Sequence, residues 1–211
     1  GNGIVRTPSN FGVIGEKPTH PQLLDWLAYN FVENGWSIKK FHKLVMLSST
    51  WQMSSEHNDK KFNIDGDNKL LWRFQPKKLE VESWRDSLLY VTNELDKRMG
   101  GPPEGEIMTS QRRTLYATIS RTGDKFKSDG FLRLFDFPAA ASSSPKRASS
   151  TVPQQYLFML NSVFMNKRAK TLGKFLSESD LNRSKVIENI YNKLYSRPPQ
   201  DSEVEIANSW L

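Results

Sequence analysis

Not one of the 211 residues is cysteine. That absence excludes disulfides, covalent c-type haem attachment and thiolate metal sites within this chain. It leaves the compartment open, since cysteine-free proteins work on both sides of a membrane. Long apolar runs are missing as well: no stretch approaches the ~20 residues that a transmembrane helix requires. Histidine is scarce. His20, His42 and His57 are the three present, and no two share the spacing of a metal-binding helix or stand among acidic partners. His20, just before Pro21, reads as a local capping or packing residue, with general-base work as the sharper alternative. No nucleophile elbow, phosphate loop or dinucleotide fingerprint occurs, because Gly3, Gly12 and Gly15 are too dispersed. Asp65-Gly66-Asp67-Asn68 lacks the alternating oxygen ligands and closing Glu of a calcium loop. No metal site and no cofactor are therefore expected in this chain.

What is present points to an ordered, basic protein. Six Trp and twelve Phe, with 37% hydrophobic residues, suffice for one good core or two small ones. The net charge is +7 and the pI about 9.5. The cations are scattered, as at Lys39, Lys40 and Lys43, at Arg112 and Arg113, and at Lys167, Arg168 and Lys170. Such spacing describes a solvated face, so nucleic acid is not an expected partner. The chain opens Gly1-Asn2-Gly3 without methionine and stops at Trp210-Leu211 inside a helical pattern. It is expected to be a single domain over residues 1–211, cut at both ends from a longer protein.

Hydrophobic periodicity predicts helices almost throughout. Pro21 opens one with Leu24, Leu27, Ala28 and Phe31, ended by Asn34-Gly35. Ser37 caps the next, with Trp36 and Phe41 as a hydrophobic staple, and the pair forms a helical hairpin. Residues 54–68 read as loop, and Pro76 as the start of a third helix carrying Val81, Trp84, Leu88, Val91 and Leu95. The alternation from Thr114 to Ser120 predicts a strand, with residues 131–137 as its partner or as a short helix. Residues 138–152, rich in Ala, Ser and Pro, have the composition of a flexible linker, but Arg147, Ser150 and Thr151 lead directly into a helix entry, so the segment is expected to be ordered against the body. Thr151 and Pro153 build a helix entry, with a long helix to about Leu172. Further helices are expected from about Arg183 to Tyr195 and after Pro199, capped by Asp201 or Ser202. The fold class is mainly α, an irregular multi-helix domain with at most a small β element near 113–120.

The candidate functional residues are polar. Arg147, Gln154 and Asn161 are presented near one another at the helix entry. Glu82 and Asp86, four apart, share one helix face and repel unless a cation such as Arg73 or Arg85 lies between them. With Arg121 and Asp136 these form a set that is either a ligand site or an internal clamp. The near balance of arginines and carboxylates favours the clamp. The competing chemistry is a glycan-acting hydrolase using a carboxylate pair from Glu82, Asp86 or Asp136. No catalytic residue is assigned.

Several ordered motifs resemble the planctomycete secreted-domain family, a domain of unknown function (1553). They are Val5-Arg6-Thr7-Pro8-Ser9-Asn10-Phe11-Gly12, Thr19-His20-Pro21-Gln22-Leu23-Leu24-Asp25-Trp26-Leu27, Gly35-Trp36-Ser37-Ile38-Lys39, Asp67-Asn68-Lys69-Leu70-Leu71-Trp72-Arg73 and Leu79-Glu80-Val81-Glu82-Ser83-Trp84-Arg85-Asp86. Arg112-Arg113-Thr114-Leu115-Tyr116, Arg121, Phe135-Asp136 and the stretch from Arg147 to Asn161 complete the likeness. The chain departs at Asn10, where the family usually has Asp, at Trp51-Gln52, often Tyr-Arg, and at Pro138-Ala139-Ala140, where an acidic residue is usual. The resemblance implies a periplasmic or cell-surface protein. It also implies an accessory or ligand-binding module, or a docking domain, behind an upstream haem domain of cytochrome c type. The implied partners are other domains of the same polypeptide and polysaccharide. The resemblance supplies no established catalytic residue.

Overall fold

A computed structural model describes residues 2–122, 125–178 and 182–210; the chain ends Gly1 and Leu211, on which the expectation of cut termini rests, lie outside the described residues. The protein is mainly α, about 49% helical, with nine α-helices and almost no strand among the described residues. Its contacts divide it into two compact units, Gly1–Lys78 and Leu79–Leu211.

The first unit holds α1 (Pro21–Glu33), α2 (Ile38–Met46) and α3 (Asp59–Ile64). Pro21 occupies the first helical turn, and His20 stands at the N-cap without a side-chain capping bond; its Nδ1 meets the Thr19 hydroxyl at 3.0 Å. Gly35 takes φ +71° directly after α1, the left-handed step that lets the chain reverse into α2. The Ser37 oxygen accepts from the Lys40 amide at 3.3 Å and caps α2 as expected. The staple is different from the expected one. Trp36 is 67% exposed and meets Phe31 edge-on at 5.4 Å, and Phe31 in turn meets Phe41 at 5.7 Å. The α1–α2 apolar face lines a cavity of about 320 Å³ formed by Leu24, Leu27, Ala28, Phe31, Ile38 and Phe41. Among its described residues this unit buries none. Residues 54–68 are not all loop: Asn58 caps α3 by accepting from the Lys61 amide.

The second unit has a true core, in which Val81, Ile107, Phe131 and Leu132 are buried against Trp84, Phe135 and Phe158. Trp84 stacks on Phe135 at 5.0 Å, and Phe131 lies 5.3 Å from Phe158. Aromatic pairs of this kind add about 0.5–1.5 kcal/mol each beyond their area burial. The elements are α4 (Val81–Val91), α5 (Lys127–Leu134), α6 (Pro153–Asn161), α7 (Val163–Ser177), α8 (Arg183–Tyr195) and α9 (Asp201–Trp210). Three sequence expectations are corrected here. The α4 helix starts at Val81 with Glu80 at the cap, not at Pro76. The expected strand is a 3-10 turn, Thr114–Tyr116, followed by a single bridge between Ala117 and Glu104. The turn forms because Thr114 is pinned by its hydroxyl and amide, which overrides the alternation. The long helix breaks at Ser162, whose ψ of 143° ends α6; its hydroxyl then accepts from the Met165 amide and starts α7. Residues 131–134 belong to helix α5, and α9 begins at Asp201 with Glu203 reaching back to the Gln200 amide at 2.8 Å.

Candidate functional site

Helix α4 separates two chemistries by its own periodicity. Val81, Arg85 and Leu89 point inward and are buried. Glu82, Ser83, Asp86, Ser87 and Tyr90 occupy the neighbouring face and line a cavity of about 560 Å³. Arg113, at the N-cap of the 3-10 turn, Leu115 within it and Ile119 after it line the cavity as well, with Phe137 and Arg147.

Each carboxylate on α4 has its charge met. Arg147 holds Glu82 in a two-pronged pair, Nη1 to Oε2 and Nη2 to Oε1, both at 2.7 Å. Burial pushes the Glu82 carboxyl upward, but the hydrogen bond and charge of Arg147 outweigh it and leave the pKa below the ordinary Glu range. The Arg147 guanidinium is correspondingly raised, chiefly by the Glu82 bond, and also lies 3.7 Å from Glu80. The Asp86 Oδ1 accepts from the Thr114 amide at 2.8 Å and hydroxyl at 2.7 Å, with the Arg85 Nη1 at 3.6 Å and the Arg113 Nε 3.8 Å from Oδ2. The cation between the two carboxylates is thus not Arg73.

Arg85 is fully buried, and its main partners are backbone carbonyls. It donates to the carbonyls of Ile107, Ser110 and Arg112, and to the Thr114 hydroxyl at 3.2 Å. Desolvation lowers its pKa to about 10, Asp86 opposing and Arg168 adding to the effect, so it stays charged at neutral pH. Arg168 is buried too, bound to Glu94 through Nε at 2.6 Å and Nη2 at 3.0 Å, with its guanidinium 4.6 Å above the Phe164 ring.

The other sequence candidates divide. Asp136, at φ +63°, accepts from the Ser150 amide and hydroxyl, both at 2.7 Å, and so closes the loop of residues 138–150. With Arg147 on Glu82, the loop is anchored at two points rather than running free as a linker. Gln154 and Asn161 are exposed on α6 and join none of these bonds; the buried glutamine is Gln155, which donates to the Leu134 carbonyl at 2.9 Å. Thr151 is not the cap, since Val152 holds that position without a side-chain bond. Arg121 is exposed and has no bond among those of the described residues. Arg73 belongs to the first unit, where its Nη1 lies 3.3 Å from the His57 Nδ1 and its guanidinium sits over Trp72. Sequence reasoning missed Arg113, Thr114, Gln155 and the Arg168–Glu94 pair. No local signal marked Thr114, because its partner Asp86 lies 28 residues away.

Among the described residues no three His, Cys, Asp or Glu side chains gather as a metal site, and no helix is long and apolar enough to cross a membrane. A family model described as PSD1, protein of unknown function (DUF1553), matches residues 1–211, and the chain belongs to that family. No curated protein and no solved structure matches it.

Proposed function

We propose that this member of a family of unknown function is an accessory ligand-binding module, and that its binding face is the cleft beside α4. The observation that carries the reading is the state of the cleft's charges. Glu82 is locked by Arg147 at 2.7 Å and Asp86 by Thr114 at 2.7 and 2.8 Å, beside an open cavity of about 560 Å³. That volume lies in the ~300–1,000 Å³ range of small-molecule pockets. A hydrolytic general acid needs a carboxyl kept protonated near neutrality, and the lowered pKa of Glu82 argues against that role. The exported setting, the upstream haem domain and polysaccharide as a partner enter this proposal from the family resemblance alone.

The test is ligand-observed and methyl NMR on the intact chain with a fragment set of mixed charge. Hits are expected to move the methyls of Leu95, Leu115 and Ile119, which line the cavity, and Leu115→Trp, which adds bulk without charge, should weaken them. Hits that ignore these methyls and bind Leu115→Trp as they bind the parent would overturn the cleft as the binding face.

A further inference from the structure

We propose that the cleft selects small molecules bearing a carboxylate, and that Arg113 is the residue that reads it. The inference rests on the binding reading above and narrows it to a ligand class. Three arginines border the two carboxylates of α4, and two of them have their Nη donors taken up. Arg147 gives both Nη atoms to Glu82, and Arg85 lies buried beneath Asp86, giving its donors to carbonyls and to Thr114. Asp86 in turn draws two hydrogen bonds from Thr114, so its charge is met without a third cation.

Arg113 pairs with Asp86 only through Nε and keeps its Nη donors open. Its side chain is 43% exposed, and its closest ionic contact is through Nε, 3.8 Å from Asp86 Oδ2, beyond hydrogen-bond distance. No hydrogen bond among the described residues uses its Nη atoms, and the side chain lines the cavity. A guanidinium with its Nη edge open is a planar fork whose donors match the two oxygens of a carboxylate, which a lysine or a neutral donor cannot reproduce. The surroundings define the rest of the ligand. Leu115, 69% exposed, and Ile119, 39% exposed, continue the wall beside Arg113, and Tyr90 on α4 also lines the cavity, with the Lys97 ammonium 5.1 Å from its ring. A ligand that fits carries its carboxylate on Arg113 and a ring or short apolar body against Leu115 and Ile119.

Two sources offer this chemistry, a sugar acid and an apolar organic acid, and paired probes separate them. Galacturonate is compared with galactose, and 4-phenylbutyrate with 4-phenylbutyramide, each titrated into the intact chain at low salt. The Arg113 Nε–Hε signal and the Leu115 and Ile119 methyls are followed by NMR. At least one acid is expected to bind ten-fold or more tightly than its neutral twin and to shift the Arg113 signal. Which acid does so identifies the source. Arg113→Gln should remove that ten-fold advantage, and Arg113→Lys should restore only part of it. If the neutral twins bind the cleft as well as the acids, the carboxylate inference is overturned while the cleft remains a binding face. If neither acid moves the cleft signals at millimolar concentration, the inference is also overturned, and the mixed-charge fragment screen judges the cleft separately. Should Arg113→Gln fail to melt like the parent, the acid–neutral comparison on the parent and the Lys variant still decide the matter.

Discussion

Arg85 and Glu82 sit three residues apart on one helix and do different work. Arg85 satisfies buried carbonyls from the segment 107–112, so its removal strands several acceptors at once. Each buried unsatisfied group costs about 1–3 kcal/mol, and Asp86 also loses a neighbouring cation. Arg85→Ala is therefore expected to lose about 3–5 kcal/mol in urea melts, and Arg85→Lys to recover only part, because an ammonium cannot fork across several carbonyls. Glu82 gives a pH effect. Its folded pKa is depressed below the usual value of 4.5, so the pair with Arg147 stabilises fully above that pH and is lost as pH falls through the folded value. Glu82→Gln should flatten the acid limb of a stability–pH profile as pH falls below the ordinary Glu value of 4.5; an unchanged limb would mean the pair contributes nothing. At this scale the sequence was informative about charges that meet charges, as Arg147 and Glu82 do. It named Arg85 only as a cation beside Glu82 and Asp86 and was silent on its main partners, which are carbonyls that every residue type carries. It was silent also on Gln155, one position from the chosen Gln154 but on the inward face of α6.

Elements were legible where one signal acts alone. Ser37, Gly35 and Pro21 set the limits of α1 and α2 through caps and backbone geometry that need no distant partner. Ser37→Ala should cost about 1 kcal/mol. Trp36→Ala should cost about 1 kcal/mol or less, since an exposed surface ring leaves no cavity behind; equal and large losses for both would restore the staple between Trp36 and Phe41. Where a tertiary bond competes, pattern failed. The alternation from Thr114 to Ser120 could not reveal that Asp86 pins Thr114 into a 3-10 turn. The loop of residues 138–150 is the converse case. Its composition is that of a linker, yet Arg147 and Ser150 fasten its far end to Glu82 and Asp136. Cleavage by a lysine-specific protease after Lys146 should be slow in the parent. In Arg147→Gln it should speed up about five-fold, as expected if a charge-assisted pair worth ~1 kcal/mol holds the loop closed. No acceleration would mean that the Asp136–Ser150 closure suffices alone.

At the scale of the whole chain, the helical class was readable from repeated steps of three and four, but the division of burial was not. Both halves carry aromatic residues in quantity. Only Leu79–Leu211 gathers them into a buried core, around Phe131 and Leu132, whereas no described residue of Gly1–Lys78 is buried. Hydrogen exchange on the intact chain should follow this difference, with amides of α4 and α5 exchanging at least about ten-fold more slowly than those of α1 and α2; uniform protection would contradict it. Composition could not foresee this, because a Trp or Phe is equally apolar whether or not neighbours close over it. The cleft lies in the unit with the core, where α4 turns its buried face to Phe131 and its polar face to the cavity. The claim that this cleft binds rather than hydrolyses is tested most directly by titrating the Glu82 side chain in the intact protein, using its carboxyl ¹³C shift. A midpoint below 4.5 is expected; a midpoint raised to about 6, the range of a general acid, would contradict the binding reading.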